Sequence, residues 1–403
     1  MQLLLKQGPT MSNAAVATEQ PASRIDSLDL VRGIVMVLMA IDHVRVYAGV
    51  PAGSPDPAVF FTRWITHFVA PAFCFFAGSA AFLHGRKLND TRALARFLVS
   101  RGLILVALEL TLLRFFWTFN FDYAHYMLAG VIWMLGWCMV LMGGLVRFST
   151  KTIAIFGFVV VFLQQVLSPL GAILPVPLGV LFQFLYGGGW VSFGQGGIGV
   201  LYVIVPWIGV MALGYAFGSI LTRESAERRR LCLSIGLGAT AAFLVVGSMI
   251  AVMRASAGGE AGGSGIPFIF RLLNQQKYPA SQLFLLMTLG PTIALLPLAE
   301  RARGRRMWQW LTTFGRVPMF YYLLHIPTIH IAAVIVSKSR EGHVNPWLFG
   351  NHPYSPPDLP PGYRWSLGLL YLVWAICLVA LYFPSAWYAK LRATKRHPWL
   401  SYI

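Results

Sequence analysis

Charge is what this chain has least of. Only 11% of its 403 residues are Asp, Glu, Lys or Arg, under half of the roughly 25% carried by a soluble domain. That excludes an ordinary water-facing globular surface. Acidic residues are scarcest, 14 against 32 Lys and Arg, for a formal net charge of +18. Cysteine is also rare. Cys74, Cys138, Cys232 and Cys377 all lie inside apolar runs, so no disulfide framework staples the loops. With no CxxC and no Cys/His cluster, no zinc or other metal site is expected. A GxSxG nucleophile elbow and the GK[ST] of a phosphate loop are both missing. The excess of cations suggests nucleic acid, but no platform of interleaved aromatic and basic residues is present. The cations sit in short loops between apolar stretches, where they mark cytoplasmic orientation and contact with anionic headgroups.

What is abundant is apolar: 57% hydrophobic, 14% aromatic, mean hydropathy +0.65. Stretches long enough to span a bilayer recur near 28–48, 60–84, 97–117, 127–146, 152–172, 199–222, 231–253, 283–299, 310–337 and 366–389. The expectation is an all-α, multi-pass bundle of about ten spans. Basic clusters fall in alternate loops, among them Arg86, Lys87, Arg92 and Arg96, then Arg223 with Arg228–Arg230, then Arg301, Arg303, Arg305 and Arg306. That asymmetry, with an even span count, puts both termini in the cytoplasm and the protein in the cell (inner) membrane. Residues 1–24 read as a disordered cytoplasmic tail, 25–390 as the transmembrane domain, and 391–403 as a basic cytoplasmic tail. The external loops are long. One of them, 173–198, contains GGGWVSFGQGGIG, read here as a flexible loop.

The first span carries Asp29, Arg32, Asp42, His43 and Arg45. An ionisable side chain at membrane depth costs several kcal/mol unless it is paired or faces a wet cavity, so each is a functional candidate. At about 100° per residue, Asp29, Arg32, Met36 and His43 share one stripe. Asp42 and Arg45, three apart, can pair on a neighbouring face. The plainer alternative has Asp29 favouring the helix dipole and Arg32 snorkelling to the surface. With the topology above, Arg63, His67, Arg114 and His330 share the outer half with Asp42 and His43, while Glu109, Tyr321, Tyr322 and His325 are central. Arg63 reads equally well as an interface marker. The loop residues His125, His343 and His352 and the tail residue His397 are expected to be solvated, His84 to sit at a helix end, and Trp64, Trp117, Trp190 and Trp365 to be interfacial aromatics.

Such a layer supports acid–base chemistry. A neutral His beside a carboxylate acts as a general base, and Asp42 and Glu109 are both available to His43. Arginines hold an anionic substrate or a developing oxyanion. The same layer also suits a proton relay in a secondary transporter of an anionic sugar or metabolite.

Two stretches, RIDSLDLVRGIVMVLMAIDHVR and FFTRWITHFVAPAFCFFAGSAAFL, followed by GVIWMLGWCMVLMG, VPWIGVMALGYAFG, KYPASQLFLLMTLGP and GRVPMFYYLLHIPTIH, resemble the heparan-alpha-glucosaminide N-acetyltransferase family, and within it a bacterial branch. The resemblance covers roughly 24–390. It implies an acetyltransferase that takes acetyl-CoA from the cytosolic side and acetylates an amino sugar or other envelope saccharide on the far side. It also implies contact with the lipid bilayer and leaves a homodimer open. In the family's animal members, catalysis is tied to a histidine in the external loop after the first span, with an asparagine nearer the span's end assisting. Here His43 falls at the asparagine position, and no histidine lies between Val44 and Thr66. His43, Asp42 and His67 are therefore the expected catalytic residues. Asp29, Arg32, Arg45, Arg63, Glu109, Arg114, Lys277, Tyr322 and His325 are expected to bind substrate or CoA.

Overall fold

At membrane depth no water is available to the backbone, and a helix satisfies its own N–H and C=O groups within one segment. The computed structural model, which describes residues 26–256, 267–302 and 305–395, is built on that solution. The tail expected at 1–24, residues 396–403 and the Gly-rich 257–266 lie outside the described residues. The first helix, α1 (Asp26–Tyr47), is followed by α2 (Pro57–Trp64), which runs through a 3₁₀ turn into α3 (Val69–Leu88). Next come α4 (Thr91–Leu108), a π-helical turn at Glu109–Leu113 and α5 (Arg114–Thr118). The chain continues with α6 (Val131–Leu145), α7 (Thr150–Leu163), α8 (Val176–Phe182), α9 (Val205–Leu221) and α10 (Ser225–Ser256). Finally come α11 (Phe268–Leu273), α12 (Gln282–Arg301), α13 (Gln309–Arg316), α14 (Pro318–Glu341) and α15 (Leu367–Thr394). Side-chain caps start several of them: Asp90 accepts from the N–H groups of Arg92 and Ala93, and Ser149, Ser281 and Ser366 do the same for α7, α12 and α15. Each such cap stabilises its helix by about 1 kcal/mol.

Among the described residues, six helical stretches are long and apolar enough to cross a membrane: 57–88, 150–172, 225–254, 282–301, 318–341 and 367–394. The other four expected spans are helical too, but differ in kind. Helix α1 and the α4–α5 unit carry several charges, while α6 and α9 have only 15 and 17 residues. These two are short because the expected spans 127–146 and 199–222 begin in extended chain. Strands β1 (Tyr126–Ala129), β2 (Gly189–Phe193) and β3 (Gly196–Val200) form a sheet of order β1-β3-β2, parallel between β1 and β3 and antiparallel between β2 and β3. The bundle is therefore helical with one small sheet, and GGGWVSFGQGGIG is a hairpin, not a flexible loop. Its glycines are what let it pair. A Cβ on Gly196 would lie 2.1 Å from the Ala124 carbonyl oxygen, and one on Gly197 would lie 2.5 Å from the Trp190 ring.

Lipid tails are as apolar as leucine, so helices in a bilayer associate through close packing, which small residues permit. Helices α4 and α6 cross at Gly102 and Gly136, where an added Cβ would come within 2.5–2.6 Å of the opposing glycine's carbonyl oxygen. Helices α3 and α9 cross at Gly78 and Gly214, and α1 and α13 at Gly33 and Gly315. Helix α1 ends up at the centre, with 15 of its 22 residues buried and α3, α12, α13, α14 and α15 around it. Helix α10 is peripheral; only 17% of its apolar window is covered by protein.

Candidate functional site

Because α1 is enclosed, its polar side chains must find partners on neighbouring helices. His43 Nδ1 lies 2.6 Å from Nε2 of His325 on α14. His325 Nδ1 lies 2.7 Å from the Tyr322 carbonyl oxygen. A carbonyl can only accept, so the neutral His325 carries its proton on Nδ1 and presents a lone pair at Nε2. His43 must then donate from Nδ1, which leaves the lone pair on His43 Nε2. A backbone carbonyl thus fixes, through two rings, which nitrogen of His43 is basic. Trp117 packs edge-on against His43, with centroids 4.8 Å apart.

Asp42 accepts from Arg45 Nε at 2.9 Å, and Arg45 Nη1 donates to the Val50 carbonyl at 2.8 Å, tying the charged end of α1 to the turn beyond it. Asp42 also lies within the electrostatic reach of His43 and Lys277. Lys277 arrives from the loop before α12, is only 8% exposed, and sits 5.2 Å from the Tyr278 ring centroid. His67 is 2% exposed, and neither ring nitrogen has a protein partner among the described residues. It packs on Phe284 and shares a field with Lys277, half-buried Arg63, Asp42 and Arg45. Asp42, His43, Arg45, Arg63, His67, Lys277 and His325 are thus brought into one electrostatic cluster.

Glu109 and Arg114 are engaged elsewhere. The Glu109 carboxylate accepts from the backbone N–H groups of Ile132 and Trp133, at 2.9 and 3.3 Å, capping α6 inside the bundle. Its field still reaches Tyr322. Arg114, fully buried, donates to the carbonyls of Tyr126, Asn120 and Asp122 and to the Thr118 hydroxyl. It organises the chain between α5 and β1.

At the end of the bundle that bears the basic loops, Arg32 donates to the Phe76 carbonyl at 3.0 Å and lies 3.8 Å from Asp29. Arg32 also lines a cavity of about 440 Å³ together with His84, Lys87, Arg101, Arg316 and Arg392. Apolar side chains including Phe73, Leu105, Leu135 and Met139 line the rest, and Tyr322 is also in the wall. The cavity therefore borders the residue whose carbonyl orients the His325–His43 pair.

Other residues depart from expectation. His352 is not solvated; it is fully buried, bonds the Trp347 carbonyl through Nε2 at 3.0 Å, and is pushed by burial down to about 4. Trp117 and Trp365 are buried rather than interfacial, each 3% exposed. Tyr47, uncharged and so without a signal in the sequence, follows His43 by one helical turn; its hydroxyl donates to the Trp117 carbonyl at 2.7 Å and its ring stacks on His330. His84 belongs to the cavity as well as to a helix end. His125 and His343 are exposed, and His397 lies outside the described residues. Among the described residues, no group of three or more His, Cys, Asp or Glu is placed to hold a metal ion.

Fold and site together define an integral membrane protein with ionisable groups enclosed between its helices and a basic cavity opening among their ends. The family model for heparan-alpha-glucosaminide N-acetyltransferase, catalytic, matches residues 24–252, and the chain belongs to this family of acetyltransferases. The match takes in His43, His67, Glu109 and most of the basic cavity, whereas Lys277, Tyr322 and His325 lie beyond it. Comparison with curated proteins yields no match.

Proposed function

We propose that the protein transfers an acetyl group from cytosolic acetyl-CoA to an amino sugar or other envelope saccharide across the cell membrane. In this reading the basic loops and both termini are cytoplasmic, and the ten expected stretches are ten spans. The extended residues before α6 and α9 complete the two short ones.

One observation carries the proposal. One cavity is lined by six basic side chains and by apolar ones and has Tyr322 in its wall, and the Tyr322 carbonyl bonds His325 of the His325–His43 pair. Acetyl-CoA has the matching polarity, with phosphates at one end, a long thin arm, and a thioester at the other. His43 Nε2 takes the proton of the acceptor amine while the amine nitrogen attacks the thioester carbon. The C–N bond forms, the C–S bond breaks, and the proton on His43 passes to the leaving thiolate. Asp42 stabilises the transient imidazolium, and Lys277 offers positive charge to the developing oxyanion. His67, whose ring nitrogens have no protein partner among the described residues, is available to the acceptor.

The test uses purified protein in nanodiscs with labelled acetyl-CoA and envelope saccharides. Acetyl transfer and CoA release are expected. Lys87→Glu and Arg101→Glu should weaken acetyl-CoA binding at least tenfold, and high salt should do the same. Proton-driven solute uptake by proteoliposomes lacking CoA, with no acetyl transfer, would overturn the reading in favour of a transporter.

A further inference from the structure

On the face away from the basic loops, a second cavity of about 350 Å³ lies between the 3₁₀ extension of α7, the end of α8 and the loop before α12. Its polar lining is Gln164, Gln165, Ser168, Tyr186, Gln276 and Ser281, with the Phe182 ring beside them. Among the described residues, no Asp, Glu, Lys or Arg contributes. Gln164 is 2% exposed. Its Nε2 donates to the Ala280 carbonyl at 2.8 Å, which fixes the amide, while its buried Oε1 has no partner among the described residues. An unmet acceptor of this kind costs free energy unless something brings it a donor.

The loop before α12 joins this cavity to the ionisable cluster. Gln276, Pro279 and Ala280 line the cavity, while Lys277, bridged to Ala280, is buried with its field on Asp42 and His67. One short stretch of backbone separates the two. The geometry points to a binding subsite for an uncharged saccharide unit of the acceptor. Carboxamides and hydroxyls donate to and accept from sugar hydroxyls, and the aromatic rings offer a flat apolar face to the sugar's C–H face. A sulfated or carboxylated sugar would lose its hydration here and find no cation in return. The word acceptor rests on the acyltransferase reading; saccharide binding does not.

Binding of triacetylchitotriose and maltotriose, as neutral probes, and of a heparin-derived tetrasaccharide, as the anionic one, is measured on nanodisc-embedded protein by saturation-transfer NMR. Q165A and Q276A, at exposed rim positions, are compared with wild type, and an unchanged melting temperature reports intact folding. At least one neutral probe should bind, both rim variants should weaken it at least fivefold, and Q276K should shift preference toward the anionic probe. Absence of neutral binding, or binding that the rim variants leave unchanged, overturns the subsite. Neutral binding without acetyl transfer keeps the subsite and sinks the acyltransferase reading; acetylation of free glucosamine with no neutral oligosaccharide bound does the reverse.

Discussion

A Cβ added to Gly130 would lie 2.5 Å from Oε1 of Glu109. The glycine just before α6 is therefore what admits the carboxylate to the N–H groups of Ile132 and Trp133. Buried N–H groups left unbonded cost about 1–3 kcal/mol each. Gly130→Ala and Glu109→Ala should each lower the melting temperature in detergent by several degrees. Glu109→Gln, whose amide oxygen still accepts, should lose less. Equal stability of all three with wild type would show that the cap is not needed.

The His43–His325 pair makes a separate prediction. His43→Ala should lower acetyl transfer by about 10²–10⁴, the range typical of a lost general base, with acetyl-CoA affinity unchanged. His325→Ala should lower it less, because it removes the group that fixes the His43 proton and not the base. His325→Gln, whose carbonyl can replace Nε2 as acceptor, should recover part of the rate. A His325→Gln variant no better than His325→Ala would mean that orientation by this bond is irrelevant.

His352 gives a pH dependence whose sign follows from burial. Unfolded, its imidazole binds a proton as pH falls below about 6.5; folded, it resists until about 4. The unfolded state thus holds more protons between these values, so stability rises with pH there. The contribution is fully present above about pH 6.5 and is lost as pH falls toward 4, by about 3 kcal/mol at the lower end. Melting temperatures from pH 7.5 to 4.5 should fall more steeply for wild type than for His352→Gln. Parallel curves would contradict this.

Close packing of α1 can be tested at Gly315, where a Cβ would come 1.7 Å from the Asp29 carbonyl oxygen. Neither backbone can yield without separating α1 from α13. Gly315→Ala should destabilise by about 1–3 kcal/mol, as overpacking does, and disturb acetyl-CoA binding, because Arg316 follows directly in the cavity wall. Gly238→Ala is the control. Apart from its own helix backbone and chain neighbours, no described residue places an atom within 4 Å of its Cβ position, so the change should be neutral or slightly stabilising. Equal melting temperatures for the two variants would remove the packing argument.

Much of the fold was legible beforehand because its causes are local. Run length and hydropathy put helix in each of the ten expected stretches, since an apolar run at membrane depth has little choice but to coil. Among the described residues, however, only six helical stretches are long and apolar enough to cross a membrane, and the expected span 310–337 is broken at Val317 between α13 and α14. Ionisable residues inside such runs marked α1, as their desolvation would cost too much anywhere but between helices. The glycine-rich segment 187–199 misled because glycine reads as freedom in isolation. Here it is what lets a Trp ring and two strands come close.

The sequence by itself determined that this is a multi-helix membrane protein, that α1 carries its densest charge, and which family it resembles. Only the tertiary structure decided that His43 meets His325 across 282 residues of chain, that Glu109 and Arg114 bond backbone groups, and that His352 is buried. The reason is physical. Hydropathy and helical period act within one segment, whereas the partner of a side chain depends on where two helices cross. Those crossings are set by glycines whose contacts lie far off in the chain.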